Sequence, residues 1–281
     1  MRIAMTGSHG LIGSALTSAL EADGHTVTRL GREGAYSLAD QDAVVNLAGA
    51  GIANKRWSED RQLEIYTSRI DVTRRVVDAL AVEAERGHSL VFLSGSAVGF
   101  YGSRTSEELT ETSEAGTGFL ADVVQDWEDE AVQAHASHRT VLLRTGHVLA
   151  ARGGLLGPQR PLFQLGLGGP LGNGTQFLSW ITLEDYVRAA IHLLTASSLE
   201  GPVNMTGPAP VRQRDFARAF GASLNRPAVL PTPMVAPRLL LGNEMVEELL
   251  LASQRALPDA LLTDGFVFRH TEVQGALNSL R

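Results

Sequence analysis

The chain contains no cysteine, which excludes a disulfide framework, thiolate metal sites and a cysteine nucleophile. Lysine is almost as scarce: Lys55 stands alone, and the other 23 of the 24 basic residues are arginine. Any mechanism that needs a second lysine is therefore excluded. No apolar run approaches the roughly 20 residues that a membrane-spanning helix needs. The N-terminus enters a strand-like Arg2-Ile3-Ala4-Met5-Thr6 instead of a signal peptide. Positive charge is not in excess either. The 24 basic and 31 acidic side chains leave a formal charge of −7 over 281 residues, which argues against a nucleic-acid surface. What is present is a chain 44% hydrophobic and 20% charged, long enough to bury one large or two modest cores. A reducing, cytoplasmic setting fits it.

Residues 2–6 read as a buried strand, Leu11 to Ala22 as a helix and Thr26 to Leu30 as a second strand, which together form a βαβ unit. Further strands are expected at Ala43–Leu47, Leu90–Ser94, Thr140–Arg144 and Val203–Met205, alternating with helical patterns. That alternation predicts an α/β fold, a Rossmann doubly wound parallel sheet. One helix should start at Ser58, whose hydroxyl suits an N-cap, and run to about Glu85; another should run from Phe119 to about Ala136. The acidic run Asp126, Glu128, Asp129 and Glu130 on that helix reads as a solvated face. Residues 151–178 carry eight glycines and three prolines and read as an irregular excursion that contributes to a substrate cleft. The expected division is a nucleotide-binding domain over 1–206 and a smaller, proline-rich C-terminal lobe over 207–281.

Gly7-Ser8-His9-Gly10-Leu11-Ile12-Gly13 places glycines at steps of three between the first strand and the first helix. Glycine permits positive φ in the turn, and backbone N–H groups at a helix N-terminus then face a pyrophosphate. In that βαβ context the turn is read as a dinucleotide site. Its spacing is that of short-chain reductases and epimerases. The second strand ends Thr28-Arg29-Leu30-Gly31-Arg32, where an NAD enzyme places an acid on the ribose 2′-hydroxyl. Arg29 and Arg32 favour NADP(H), because guanidinium pairs with a 2′-phosphate that a carboxylate repels. Glu33 is the competing ribose contact.

Small residues at the end of the third strand, Leu47-Ala48-Gly49, let a cofactor pass over its carboxyl edge. The fourth strand ends Ser94-Gly95-Ser96, with Tyr101 downstream. Ser96 or Tyr101 is a candidate to hydrogen-bond a reacting carbonyl; the alternative for Tyr101 is a packed aromatic with a wet hydroxyl. Arg152 and Arg160 in the glycine-rich stretch are candidates for an anionic substrate group, or are ordinary loop arginines. His135 and His138 lack an acidic third ligand, so no structural metal is expected.

Several separated segments in order, Lys55-Arg56-Trp57, Ser68-Arg69-Ile70, Leu165-Gly166-Leu167-Gly168-Gly169-Pro170, Ser179-Trp180-Ile181 and Ser253-Gln254-Arg255-Ala256-Leu257-Pro258, are similar to an atypical subfamily of the extended short-chain dehydrogenases/reductases. That subfamily is labelled epimerase-family or sugar-nucleotide-epimerase-like, within the NAD(P)-dependent epimerase/dehydratase group. The resemblance spans essentially the whole chain. It implies a Rossmann fold, bound NADP(H) and a C-terminal domain without an established role. It also implies Gly31 and Arg32 near the adenosine phosphate, Leu47 and Ala48 beside the cofactor, and Glu64, Arg69 and His147 close to it.

One departure from the wider superfamily matters more than these matches. Its Tyr-x-x-x-Lys pair, in which lysine lowers the tyrosine pKa for proton transfer, is absent. Four residues beyond Tyr36, Tyr66, Tyr101 and Tyr186 stand Asp40, Ile70, Thr105 and Ala190, and the expected helix carries Phe119 and Val123 at the pair's spacing. Two classes of function follow. One is an NADP(H)-dependent oxidoreductase or epimerase acting on a small carbonyl or hydroxyl compound, a nucleotide-sugar epimerase being a variant of it. The other is a non-catalytic NADP(H)-sensing or scaffold protein. The partner expected is a small-molecule substrate, with neither nucleic acid nor membrane, and the oligomeric state is left open.

Overall fold

Ile3, Ala4 and Met5 expose nothing, and neither do Ala43, Val44 and Val45. Strands buried on both faces require a sheet covered by helices on each side. In the computed structural model, which describes residues 1–31 and 33–281, β1 (Arg2–Thr6), α1 (Leu11–Ala22), β2 (Thr26–Arg29) and β3 (Ala43–Asn46) open the chain. The long α2 (Glu59–Glu85), β4 (Val91–Ala97), a two-residue β5 (Glu108–Leu109) and α3 (Phe119–Val132) follow. Next come β6 (Arg139–Thr145), β7 (His147–Leu149), α4 (Leu156–Gln164), β8 (Phe177–Leu178) and β9 (Trp180–Thr182). Then α5 (Leu183–Thr195), β10 (Gly201–Met205), β11 (Val211–Arg212), α6 (Gln213–Ser223), α7 (Val235–Leu241) and β12 (Arg255–Ala256) lead to the C-terminal residues.

The central sheet has the order β10-β6-β4-β3-β1-β2, and every pairing in it is parallel. The chain passes from β1 outward to β2 and returns on the other side of β1 at β3. That reversal opens a crevice at the carboxyl edge between β1 and β3, where ligands of such sheets bind. Leu16 and Leu20 of α1 pack with Tyr186 and Leu193 of α5 on one face. Val76 and Leu80 of α2 pack with Phe92 and with Ala131 of α3 on the other. The doubly wound architecture is as expected from the alternation. Ser58 caps α2 by accepting the Arg61 N–H at 3.3 Å. Thr182 caps α5 by accepting the Asp185 N–H at 3.1 Å.

The 151–178 stretch departs from the expected irregular excursion, because it contains α4. Pro158 lies in the first turn, where its missing N–H is not needed, and Leu156 and Phe163 anchor the helix into a core shared with Phe216 and Phe220 of α6. Pro161 is tolerated inside this short helix. The second correction concerns α3, which ends at Val132 rather than near Ala136.

Residues after 207 are laced to the rest of the chain. β12 pairs in parallel with β5, Arg255 opposite Glu108, and the Ser179 hydroxyl donates toward the Gln254 and Ala256 carbonyls, at 2.8 and 3.1 Å, while accepting the Ala256 N–H at 2.8 Å. Among the described residues no helix is long and apolar enough to cross a membrane.

Candidate cofactor cleft

The glycine turn is built by close packing. Gly7 has φ +66°, and a Cβ there would stand 2.4 Å from the Leu47 carbonyl oxygen; a Cβ on Gly13 would stand 2.2 Å from the Gly7 oxygen. Both positions demand glycine. Gly10 is different: its φ of −72° suits any residue, and a Cβ would approach only the Gly7 oxygen, at 3.3 Å. Ser8 is buried, His9 and Gly10 are exposed, and Leu11 and Ile12 are half-buried at the start of α1. No side chain caps this helix, whereas α2 and α5 are closed by Ser58 and Thr182. The open N–H groups and the positive end of the dipole suit an anion.

Across the carboxyl edge, Thr6 lies opposite Asn46 and Asn46 opposite Ser94. The glycine turn, Leu47, Ala48, Gly49 and Ser94 are therefore brought together. Beneath them runs a buried chain of hydrogen bonds. Thr6 donates to Asn46 Oδ1 at 2.6 Å, and Asn46 Nδ2 and Trp127 Nε1 both donate to the Thr73 hydroxyl at 2.8 Å. Gly95 lets this happen, since a Cβ there would meet the Trp127 ring at 2.8 Å.

The segment after Leu47 is fastened to α2 by the residues singled out in the sequence. Ala50 donates its N–H to the Ser68 hydroxyl at 2.9 Å, and its carbonyl accepts from the Arg69 guanidinium at 3.1 Å. Arg69 also holds the Ile65 carbonyl at 2.9 Å, lies over the Trp127 ring and would touch a Cβ on Gly49. Burial, with Arg61 nearby, brings its pKa down to about 10, so it remains cationic at neutral pH. Arg61 itself is buried and donates to the Gly51 carbonyl and to Glu64. Glu64 is thus engaged at the exposed side of the same junction.

At the end of β2, one arginine of the expected pair is described. Arg29 forms an exposed ion pair with Glu21 of α1 at 3.0 Å, so its guanidinium is turned to the helix. The Gly31 carbonyl accepts the Tyr36 hydroxyl at 2.8 Å. Arg32 lies outside the described residues.

Ser96 and Tyr101 occupy a buried polar network rather than an open edge. The Ser96 hydroxyl donates to Glu128 Oε1 at 2.5 Å. The Tyr101 ring exposes nothing; its hydroxyl donates to Asn204 Oδ1 at 2.7 Å or to the Thr110 carbonyl at 3.0 Å, and accepts from Arg144 at 3.1 Å. The alternative of a packed aromatic is met, but its hydroxyl is buried, not wet. Burial pushes the Tyr101 hydroxyl above its ordinary pKa and that of Tyr186 up to about 12. A hydrogen bond to Asp126 raises Tyr66. The acidic run of α3 is corrected as well: Asp126 and Asp129 are solvated, but Glu128 and Glu130 are buried, paired with Arg144 and Arg74 at 2.8 and 2.9 Å.

His147 follows β6, half-buried, with Nδ1 at 3.2 Å from the Ser179 carbonyl. Burial lowers its pKa. The ring is therefore neutral at pH 7, with Nδ1 as donor and Nε2 as acceptor. His138 is a packed side chain between the Leu90 N–H and the Leu80 carbonyl, at 3.1 and 2.9 Å. Arg160 donates to the Leu280 carbonyl at 2.8 Å and so serves the C-terminus, while Arg152 is exposed. Among the described residues no group of three or more His, Asp or Glu side chains is placed to hold a metal.

One residue of this edge carried no sequence signal. Glu248 accepts the Phe119 and Leu120 N–H groups at 2.9 and 2.8 Å, closing the N-terminus of α3 from 128 residues away. Gly118 leaves room for it, since a Cβ there would stand 2.9 Å from the carboxylate. Met245 packs with Trp57, Ile65 and Val123 beside it.

A parallel six-stranded sheet, a glycine turn opening onto an uncapped helix and a crevice at the strand reversal define a dinucleotide-fold protein. The sequence model of the NAD dependent epimerase/dehydratase family matches residues 3–205, and the chain belongs to that family. Residues 232–280 match a domain of unknown function, DUF1731. The chain is 42% identical over 294 residues to an epimerase family protein, ML0860, of Mycobacterium leprae, covering 98% of this chain and 94% of that one. It is similar to the crystal structure of human epimerase family protein SDR39U1 with NADPH: 32% identity, TM-score 0.92, covering 100% of this chain and 99% of that one. A nucleoside-diphosphate sugar epimerase from Corynebacterium glutamicum aligns at 32% identity and TM-score 0.79, covering 99% of this chain but 57% of that one.

Proposed function

We propose that the chain binds NADP(H) in this cleft and works as an oxidoreductase or epimerase on a small carbonyl or hydroxyl compound. The observation that carries the reading is the glycine turn at the α1 N-terminus, close-packed against Leu47 and left without a side-chain cap. The human relative crystallised with NADPH supports the choice of cofactor.

The N–H groups following Gly7, Ser8, His9 and Gly10 through Leu11, Ile12 and Gly13 would hold the pyrophosphate. Gly31 and Arg32 would take the 2′-phosphate, with Arg29 adding charge beside its Glu21 partner. Leu47, Ala48, Gly49 and Ser94 would form the floor, and Arg69, with Glu64 and His147 nearby, would fix its walls. A bound nicotinamide supplies or accepts hydride. His147 offers Nε2 as an acceptor, its one ring proton lying on Nδ1 toward the Ser179 carbonyl. With Tyr66, Tyr101 and Tyr186 all raised, a tyrosinate base is not available from them at pH 7. We therefore assign Ser96 and Tyr101 as positioning residues that order the β4 and β6 ends. NADPH consumption over a panel of small carbonyl compounds, with isomer analysis of nucleotide-sugar products, tests this reading; absence of turnover in both would remove it.

The locked hydroxyls favour a second reading, an NADP(H)-sensing or scaffold protein without chemistry. It predicts a partner whose affinity differs between NADP and NADPH. A pull-down indifferent to both forms counts against it.

A further inference from the structure

A cavity of about 660 Å³ opens beside the turn that follows Tyr101, between the 172–176 turn and α7. Its size is that of a small-molecule site. Arg104, Arg212 and Arg238 line it, and among the described residues no carboxylate does, although Glu107 and Glu247 pair with Arg104 and Arg238 from outside the lining and the chain as a whole carries a formal charge of −7. The remaining lining is mostly hydroxyl and amide, including Ser106, Asn173 and Thr175.

The guanidinium groups are held in advance. Arg104 donates to the Tyr101 and Glu114 carbonyls at 3.1 and 3.2 Å and makes a long, solvent-screened pair with Glu107 at 3.4 Å. Arg212 donates to the Thr175 carbonyl at 2.6 Å and lies over the Phe177 ring at 4.6 Å. Arg238 pairs with Glu247 at 2.5 Å, but the two side chains are 45% and 56% exposed, so this pair is screened and weak. The wall is the tail pattern that the glycine turn leaves unexplained. Ser253 accepts the Phe177 N–H at 3.0 Å and donates to the Thr105 carbonyl at 2.6 Å, and its N–H donates to Ser103 at 3.1 Å. Gln254 donates to the Gly102 carbonyl at 3.1 Å. Ser253-Gln254 thus pins the 102–105 turn, which carries Arg104, against β8, which pairs with the strand that carries Arg212.

We infer that this cavity takes the anionic end, a phosphate or a carboxylate, of the small carbonyl or hydroxyl compound. Preorganised guanidinium groups recognise both planar carboxylate and phosphate oxygens. Calling the ligand a substrate rests on the NADP(H) reading; the anion site itself does not.

The test is calorimetric titration of the full chain at low salt with inorganic phosphate and, separately, with malonate, each repeated with saturating NADPH. At least one anion should bind, and the stronger arm tells which group the site prefers. Arg212→Gln should weaken it by about tenfold or more, the effect of one charge-assisted hydrogen bond. Arg238→Gln, altered at an exposed pair, serves if Arg212→Gln does not fold. Arg218→Gln on α6, 65% exposed and outside the cavity, should change nothing. Binding of neither anion, displacement by NADPH, or equal loss in Arg218→Gln would overturn the proposal. Failure of the NADP(H) reading is distinct: wild type would then bind an anion here but not NADPH.

Discussion

Glu128 takes two nitrogens of Arg144, Nε on Oε1 at 2.9 Å and a terminal nitrogen on Oε2 at 2.8 Å, with the side chains 7% and 5% exposed. The pair joins α3 to β6 and gives Ser96 its acceptor. Its guanidinium also lies 3.5 Å from the Phe100 ring centre. Removing one partner leaves a buried, uncompensated charge. Glu128→Ala should therefore lose about 3–5 kcal/mol of stability in urea unfolding, and an apolar double replacement, Glu128→Leu with Arg144→Met, should recover most of it. A loss below about 1 kcal/mol, as for an exposed pair, would contradict the assignment.

Tyr101→Phe removes the hydroxyl that Asn204 and Arg144 share, so it should cost about 1–3 kcal/mol through unsatisfied buried groups. If NADPH turnover is found, the variant should keep the shape of its pH profile, since the hydroxyl is raised by burial and transfers no proton. Loss of one limb of that profile would make Tyr101 a catalytic acid or base after all.

Glu248 closes α3 from a distant part of the chain. Glu248→Ala should cost about 0.5–2 kcal/mol, the range for losing a helix cap, and Glu248→Gln less, because one amide oxygen still accepts. Thermal unfolding of the three proteins checks the order. Equal melting temperatures would show the contact to be without energetic weight.

His147 is held neutral by burial, its pKa lowered from the ordinary 6.5. Below that value the unfolded chain binds the proton more readily than the folded one. The stabilisation is therefore full above pH about 6.5 and is lost as pH falls toward the folded value. Glu111, raised by burial, acts in the opposite sense, losing its contribution as pH rises above the ordinary carboxylate range. The difference between wild type and His147→Gln isolates the histidine: it should shrink as the solution is acidified. A difference independent of pH would contradict it.

Much of the sheet was legible because β1, β3, β4 and β6 each carry a short apolar run, Ile3–Met5, Ala43–Val45, Val91–Leu93 and Val141–Leu143, and α1 begins and ends where its glycine turn and Ala22 indicate. The glycine turn was legible for the same reason that it packs: Gly7 and Gly13 admit nothing larger. Pairings across long separations were not. Glu128 sits in a run of acids, but it adjoins Trp127 on the inner face of α3, and that helical phase was the signal available. Glu248 had none, because a cap supplied from another element leaves no local pattern. The helix α4 was masked by Gly153, Gly154, Pro158 and Pro161, local breakers overridden by burial of Leu156 and Phe163. β7 and β9 are three residues each, too short for periodicity to reveal.

The most direct measurement is calorimetric titration of NADPH and NADH into the cofactor-free protein and into Gly10→Ala. A Cβ at Gly10 meets only the Gly7 oxygen, at 3.3 Å, a tight contact that a shift of a few tenths of an ångström relieves, so the variant should fold with at most a small loss in melting temperature while a methyl group is added to the turn proposed to hold the pyrophosphate. Wild type should bind NADPH more tightly than NADH, and Gly10→Ala should weaken NADPH by about tenfold or more, equivalent to about 1.4 kcal/mol. No binding of either nucleotide to wild type, or equal binding to the variant, would contradict a cofactor site at the glycine turn.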